Sequence, residues 1–182
     1  MNSRGLLELS VLEFVSAVAS ADQPTPAGGS VAALTGASSA ALLALVCGVT
    51  ERKSPGGLAQ PLERARALQQ RLLELVEQDA AAFRAFLDAP RSSPARQAAA
   101  ERVAAMPLRI GGACLEVRAL VAAIEPNVSG ALQLDVGAAR QLAQAAARSA
   151  LDIAEYNLAL VADPGVKERL GAEITALRER RA

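Results

Sequence analysis

An all-α fold, a single-domain bundle of about six long helices, is what this sequence predicts, and three observations carry it. Alanine, leucine and arginine dominate while β-branched residues are scattered, which favours helix over strand. Glycine and proline clusters cut the chain at ADQPTPAGG, at SPGG (54–57), at APRSSP (89–94), at EPNVSG (125–130) and at DPG (163–165). Hydrophobic residues make up 52% of the chain and charged residues 21%, enough to bury a core, and no repeat or linker divides residues 1–182 into more than one domain.

The first helix is expected over about 9 to 20. The second, about 29 to 52, follows PTPAGGS, where Gly28 and Gly29 let backbone approach closely and Ser30 is placed to cap. The free N–H groups of its first turn then offer a place for an anion or a carbonyl. Val31 to Val49 carries no charge and approaches the roughly 20 apolar residues that span a bilayer. It is half Ala, Gly and Ser and lacks aromatic belts, so a central helix covered on all sides by protein is predicted, with no membrane role. Six helices provide few such enclosed places, which predicts a second subunit as part of the cover.

The third helix, about 58 to 88, sets Leu72, Val76, Asp79, Phe83 and Phe86 at steps of 4, 3, 4 and 3, placing a carboxylate inside the apolar stripe. Burial there raises its pKa toward the range of proton transfer; the alternative is a plain bond to a neighbouring helix. The fourth, about 93 to 124, contains Pro107 and is expected to kink or split near Ala105. The fifth, about 131 to 162, has the stripe Leu132, Asp135, Ala139, Leu142, Ala146, Ser149, Ile153, Asn157, Leu160. Asp135 lies in the first turns, where an acid complements the helix dipole, whereas Asn157 has no such reason. They stand 22 residues apart, about 33 Å along a helix, so they mark two places or are shared between antiparallel subunits. A sixth helix, about 165 to 181, closes the chain.

Composition excludes several functions. Nineteen basic residues balance nineteen acidic ones and aromatics are 2%, a poor basis for nucleic-acid binding. Histidine is absent, so acid–base chemistry falls to a carboxylate, a lysine, a cysteine or water, and no metal site is expected. Cys47 and Cys114 lie in apolar helical contexts and read as reduced core thiols. The N-terminal MNSRGLLELSVLEF has no secretory pattern, and a cytoplasmic location is expected.

PTPAGGSVAAL, the small-residue helix after it, Thr50 and Lys53 in VTERK, Asp79 and Phe83 in DAAAF, Pro107 in AAMPL, and LDVGAARQLAQAA followed by Asn157 together resemble the cyclodeaminase/cyclohydrolase family, which includes the C-terminal domain of formiminotransferase-cyclodeaminase. The resemblance runs from about Phe14 to Val161. It implies a homodimer acting on reduced folate without an added cofactor, with Asp135 and Asp79 catalytic and Gly28, Gly29, Ser30, Lys53 and Asn157 binding substrate. The reaction it implies first is conversion of 5-formiminotetrahydrofolate to 5,10-methenyltetrahydrofolate and ammonia. Methenyltetrahydrofolate cyclohydrolase and a non-catalytic helical dimer with a degenerate folate site are the alternatives. A separate formiminotransferase enters as a candidate partner.

Overall fold

The computed structural model describes residues 4–180, and among them every regular element is helical. Six α-helices follow in order: α1 (Val11–Ala19), α2 (Gly28–Lys53), α3 (Ala59–Asp88), α4 (Pro94–Ile124), α5 (Leu132–Asn157) and α6 (Pro164–Glu179). Short 3-10 turns stand at Leu6–Glu8, Glu125–Asn127 and Leu158–Leu160, so the fifth helix stops at Asn157, short of the expected 162. Position 181, where the last helix was expected to end, lies outside the described residues.

The breaks work through their side chains. Ser10 and Glu13 form a reciprocal capping box at the start of α1. Ser93 and Asp163 each cap a helix whose first residue is proline, whose missing N–H costs nothing at that position. The Glu51 carboxylate accepts from the backbone N–H groups of Gly56, Gly57 and Leu58 and so closes the turn between α2 and α3.

Helix α2 is the centre, packed along α3 and α5 and more lightly on α4, while α6 rests on α4 and α5. Leu43, Leu72, Leu75, Ile110 and Leu151 are fully buried, each contributing about 1.5–3 kcal/mol. Small residues bring the axes together: a Cβ on Gly36 would stand 2.5 Å from Cys114 Sγ and 3.2 Å from Leu72. Ser39 Oγ donates to the Ala139 carbonyl at 2.6 Å, tying α2 to α5 within the core. Helix α1 sends only Phe14 inward and leaves Val11 and Leu12 in solvent.

Two expectations need correction. Helix α2 is long and apolar enough to cross a membrane, and half of its most apolar window is buried inside the fold, but it is not covered on all sides. Val31, Thr35, Ser38, Leu42, Leu45 and Val49 form an incompletely covered seam at steps of 4, 3, 4, 3 and 4. On α5 the buried face is Val136, Ala139, Ala143, Ala146, Ala147, Ala150, Leu151 and Ala154, which leaves Asp135 and Asn157 on its flank and Ser149 in solvent.

Pro107 does not split α4. A helical proline has no N–H to give the carbonyl four residues earlier, here Val103. Asn157 Nδ2 supplies the missing donor, bonding to that Val103 oxygen at 3.1 Å. The polar residue on α5 and the proline on α4 are thus two halves of one feature.

Candidate functional site

The chain reaches α2 through a fixed corner. Thr25 and Pro26 are buried, the bond between them is cis, and Arg84 Nη1 on α3 donates to Thr25 Oγ1 at 2.8 Å. The helix then begins at Gly28 with Ala27 as an N-cap that offers no side chain, so Ser30 is not the cap expected from sequence. Ser30 is instead fully buried inside the first turn, where its hydroxyl donates to Asp79 Oδ2 at 2.9 Å.

Asp79 meets α2 at this terminus. A Cβ on Gly29 would fall 2.3 Å from Asp79 Oδ1, so the carboxylate lies where only glycine leaves room. Burial pushes the Asp79 carboxyl above its ordinary range, while the Ser30 hydroxyl and backbone N–H hold it down. The partly positive end of the α2 dipole also favours a negative group here. The outcome is a carboxyl whose proton is held more tightly than usual yet has a fixed hydrogen-bond partner.

Around it is a cavity of 210 Å³ lined by Thr25, Gly28, Gly29, Asp79, Phe83 and Asn157, with Val103 and Ile153 completing the wall. With Asn157 Nδ2 committed to Val103, its Oδ1 is the group Asn157 can offer a ligand. A second cavity of 410 Å³ adjoins at Gly28 and Ile153 and runs between α2 and α5 past Val31, Thr35 and Asp152. Its floor is the upper end of the open α2 seam.

Four of the residues singled out from sequence, Gly28, Gly29, Asp79 and Asn157, therefore line one cavity, and Ser30 joins them through Asp79. Asp135 and Lys53 do not. Lys53 is the exposed last residue of α2, 24 residues beyond Gly29 or about 36 Å of helix. Asp135 is in the first turn of α5, at the end of that helix opposite Asn157. Sequence reasoning missed Thr25 and Arg84, since a threonine in a proline loop and an arginine on a helix flank carry no signal before their contact is seen. Among the described residues no cluster of Cys, Asp and Glu is arranged to hold a metal.

Removing the amide of Asn157 tests its double position. Asn157→Ala leaves the buried Val103 carbonyl without a donor and is expected to cost about 1–3 kcal/mol in urea unfolding. A stability within about 0.3 kcal/mol of the wild type would contradict the pairing with Pro107.

The sequence model of the family described as formiminotransferase-cyclodeaminase matches residues 10–176. The methenyltetrahydrofolate cyclohydrolase of Methylorubrum extorquens is 35% identical over 94 residues, 47% of this chain and 45% of that protein, so the match spans about half of that relative. The crystal structure of formiminotetrahydrofolate cyclodeaminase from Thermotoga maritima has the same fold, with a TM-score of 0.90 at 22% identity over 97% of this chain and 91% of that one.

Proposed function

Because the chain belongs to the formiminotransferase-cyclodeaminase family, we propose that it converts 5-formiminotetrahydrofolate to 5,10-methenyltetrahydrofolate and ammonia, with Asp79 moving the proton. The observation that carries the reading is the half-buried Asp79 carboxyl, fixed by Ser30 at the N-terminus of α2 and facing a cavity. Starting from the protonated formimino group, N10 attacks the formimino carbon, a C–N10 bond forms, and the N10 proton passes to the Asp79 carboxylate. Asp79 returns that proton to the amino nitrogen of the tetrahedral carbon. The C–N bond then breaks with its electron pair on nitrogen, ammonia leaves, and the methenyl cation remains. A carboxyl raised toward working pH suits both halves of this relay, and general acid–base catalysis of this kind contributes about 10²–10⁴-fold. The cyclohydrolase alternative uses the same residue to take a proton from water attacking the methenyl carbon, and the Methylorubrum relative supports it.

The cavity of 210 Å³ is smaller than the ~300–1,000 Å³ of ordinary small-molecule sites, so it takes the reacting end of the ligand and the adjoining cavity takes more. That second space lacks an outer wall, and the open α2 seam continues from it. We infer that a second copy packs on this seam with its α2 antiparallel, a pairing that sets residue 28 opposite residue 53. The partner subunit's Lys53 and the partner subunit's Asp135 then come toward the Asp79 end, which no single chain achieves.

Calorimetric titration with folinate tests substrate class and shared site together. Saturable binding is expected, weakened at least about tenfold in Asp135→Ala although Asp135 is outside its own chain's cavity. Failure of every reduced folate to bind contradicts the function; unchanged binding in Asp135→Ala contradicts only the shared site.

A further inference from the structure

The proton relay leaves one polar side chain of the Asp79 cavity without a task, the hydroxyl of Thr25. Thr25 is only 5% exposed and lines the cavity together with Asp79, Phe83 and Asn157. Its Oγ1 accepts from Arg84 Nη1 at 2.8 Å. A hydroxyl that accepts from a cation cannot turn its own hydrogen the same way, and among the described residues no carbonyl or carboxylate takes that hydrogen. An oxygen so buried has little water to give it to, and the open space beside it is the cavity.

Arg84 is placed for this one bond. It follows Phe83 on α3, and none of the ion pairs among the described residues includes it. Its exposed guanidinium stays charged at any working pH and so remains a donor. A charge-assisted bond fixes the Thr25 oxygen more firmly than a neutral donor does and polarises its O–H toward the next acceptor. The side chains of the cavity then present a hydroxyl donor in Thr25, an acceptor in Asn157 Oδ1 and the carboxyl of Asp79.

We propose that Thr25, turned by Arg84, donates to the C4 carbonyl of the pterin ring and so selects a 4-oxo over a 4-amino ring, an inference that rests on the folate reading of this site. In a tetrahydropterin the C4 carbonyl projects beside N5, the atom that bears the formimino group. A ligand whose N5 substituent reaches Asp79 therefore brings that oxygen to the same small cavity. A 4-amino ring sets N–H hydrogens where the oxygen stood, donor against donor, and leaves the buried Thr25 hydroxyl unpaired. Thr25 touches the ligand, and Arg84 acts through it as a positioning residue.

The test is calorimetric titration of the full chain with folinate and, separately, with its 4-amino counterpart, 5-formyltetrahydroaminopterin. The wild type is expected to bind folinate at least about tenfold tighter than the 4-amino ligand. Thr25→Val removes the hydroxyl at nearly constant shape and is expected to shrink that preference below about threefold, and Thr25→Ser is expected to restore it. Arg84→Met, a change at the surface, is expected to cut the preference at least about threefold because the hydroxyl is then free to turn away. A contact that only ties the loop to α3 moves both affinities together and leaves their ratio where it was. Failure of both ligands to bind the wild type overturns the folate reading and this inference with it. Binding of both without a preference, or a preference that survives unchanged in a folded Thr25→Val protein or in Arg84→Met, overturns this inference alone.

Discussion

Asp79→Asn is expected to reduce turnover of 5-formiminotetrahydrofolate by about 10²–10⁴-fold while leaving the protein folded. Asparagine keeps the shape and can still accept from Ser30, but it can neither take the N10 proton nor return one to the leaving amine. Stability is expected to move the other way. Burial raises the Asp79 pKa, so the native chain binds this proton more tightly than the unfolded chain does. The stability from that proton is full below the unfolded pKa and is lost as pH rises through the raised native value. Urea unfolding from about pH 4 to about pH 8 should therefore show Asp79→Asn gaining on the wild type as pH rises. A variant that is inactive because it is unfolded, or one that loses stability relative to wild type across that range, would contradict the assignment.

Gly36→Leu is expected to be the most damaging single change to the fold. The first added carbon alone lands 2.5 Å from Cys114 Sγ, and the rest of the side chain has to enter the space of Leu72, where α2, α3 and α4 meet. Overpacking of this kind costs about 1–3 kcal/mol or more, and a domain of this size loses about 2–4 °C of Tm per kcal/mol. A fall of about 2–12 °C is expected by calorimetry, or no folded protein at all. Gly137→Ala is the control: its Cβ meets nothing within 4 Å in mid-helix, and it is expected to stabilise by about 0.5–1 kcal/mol. The effect of Gly36→Leu arises inside one chain, because the atoms it strikes belong to the same core rather than to a partner.

The helices were legible because their ends are written in short-range chemistry: proline after Ser93 and Asp163, glycine after Ser54, and the PTPAGG approach to α2. Asp79 was legible because a lone carboxylate interrupts large apolar residues on α3. The phase of α5 was not. Its face is built from alanines, which occur on every side of that helix, so spacing alone could not choose between the row containing Asp135 and the row containing Val136. The intact passage of α4 through Pro107 was equally hidden, because the donor that replaces its missing N–H comes from Asn157, 54 residues beyond the Val103 carbonyl that it serves. Lys53 and Asp135 share a motif set with Asp79 in sequence, yet helix length holds them apart in one chain; bringing them back is what the proposed antiparallel pairing of two copies would do.

Absorbance of 5,10-methenyltetrahydrofolate, followed after mixing the protein with 5-formiminotetrahydrofolate, tests the central claim most directly. The account predicts that the methenyl chromophore appears with the wild type, in step with ammonia release, and appears at least about 100-fold more slowly with Asp79→Asn. No chromophore from the formimino substrate, together with no faster decay of added methenyltetrahydrofolate, would contradict it.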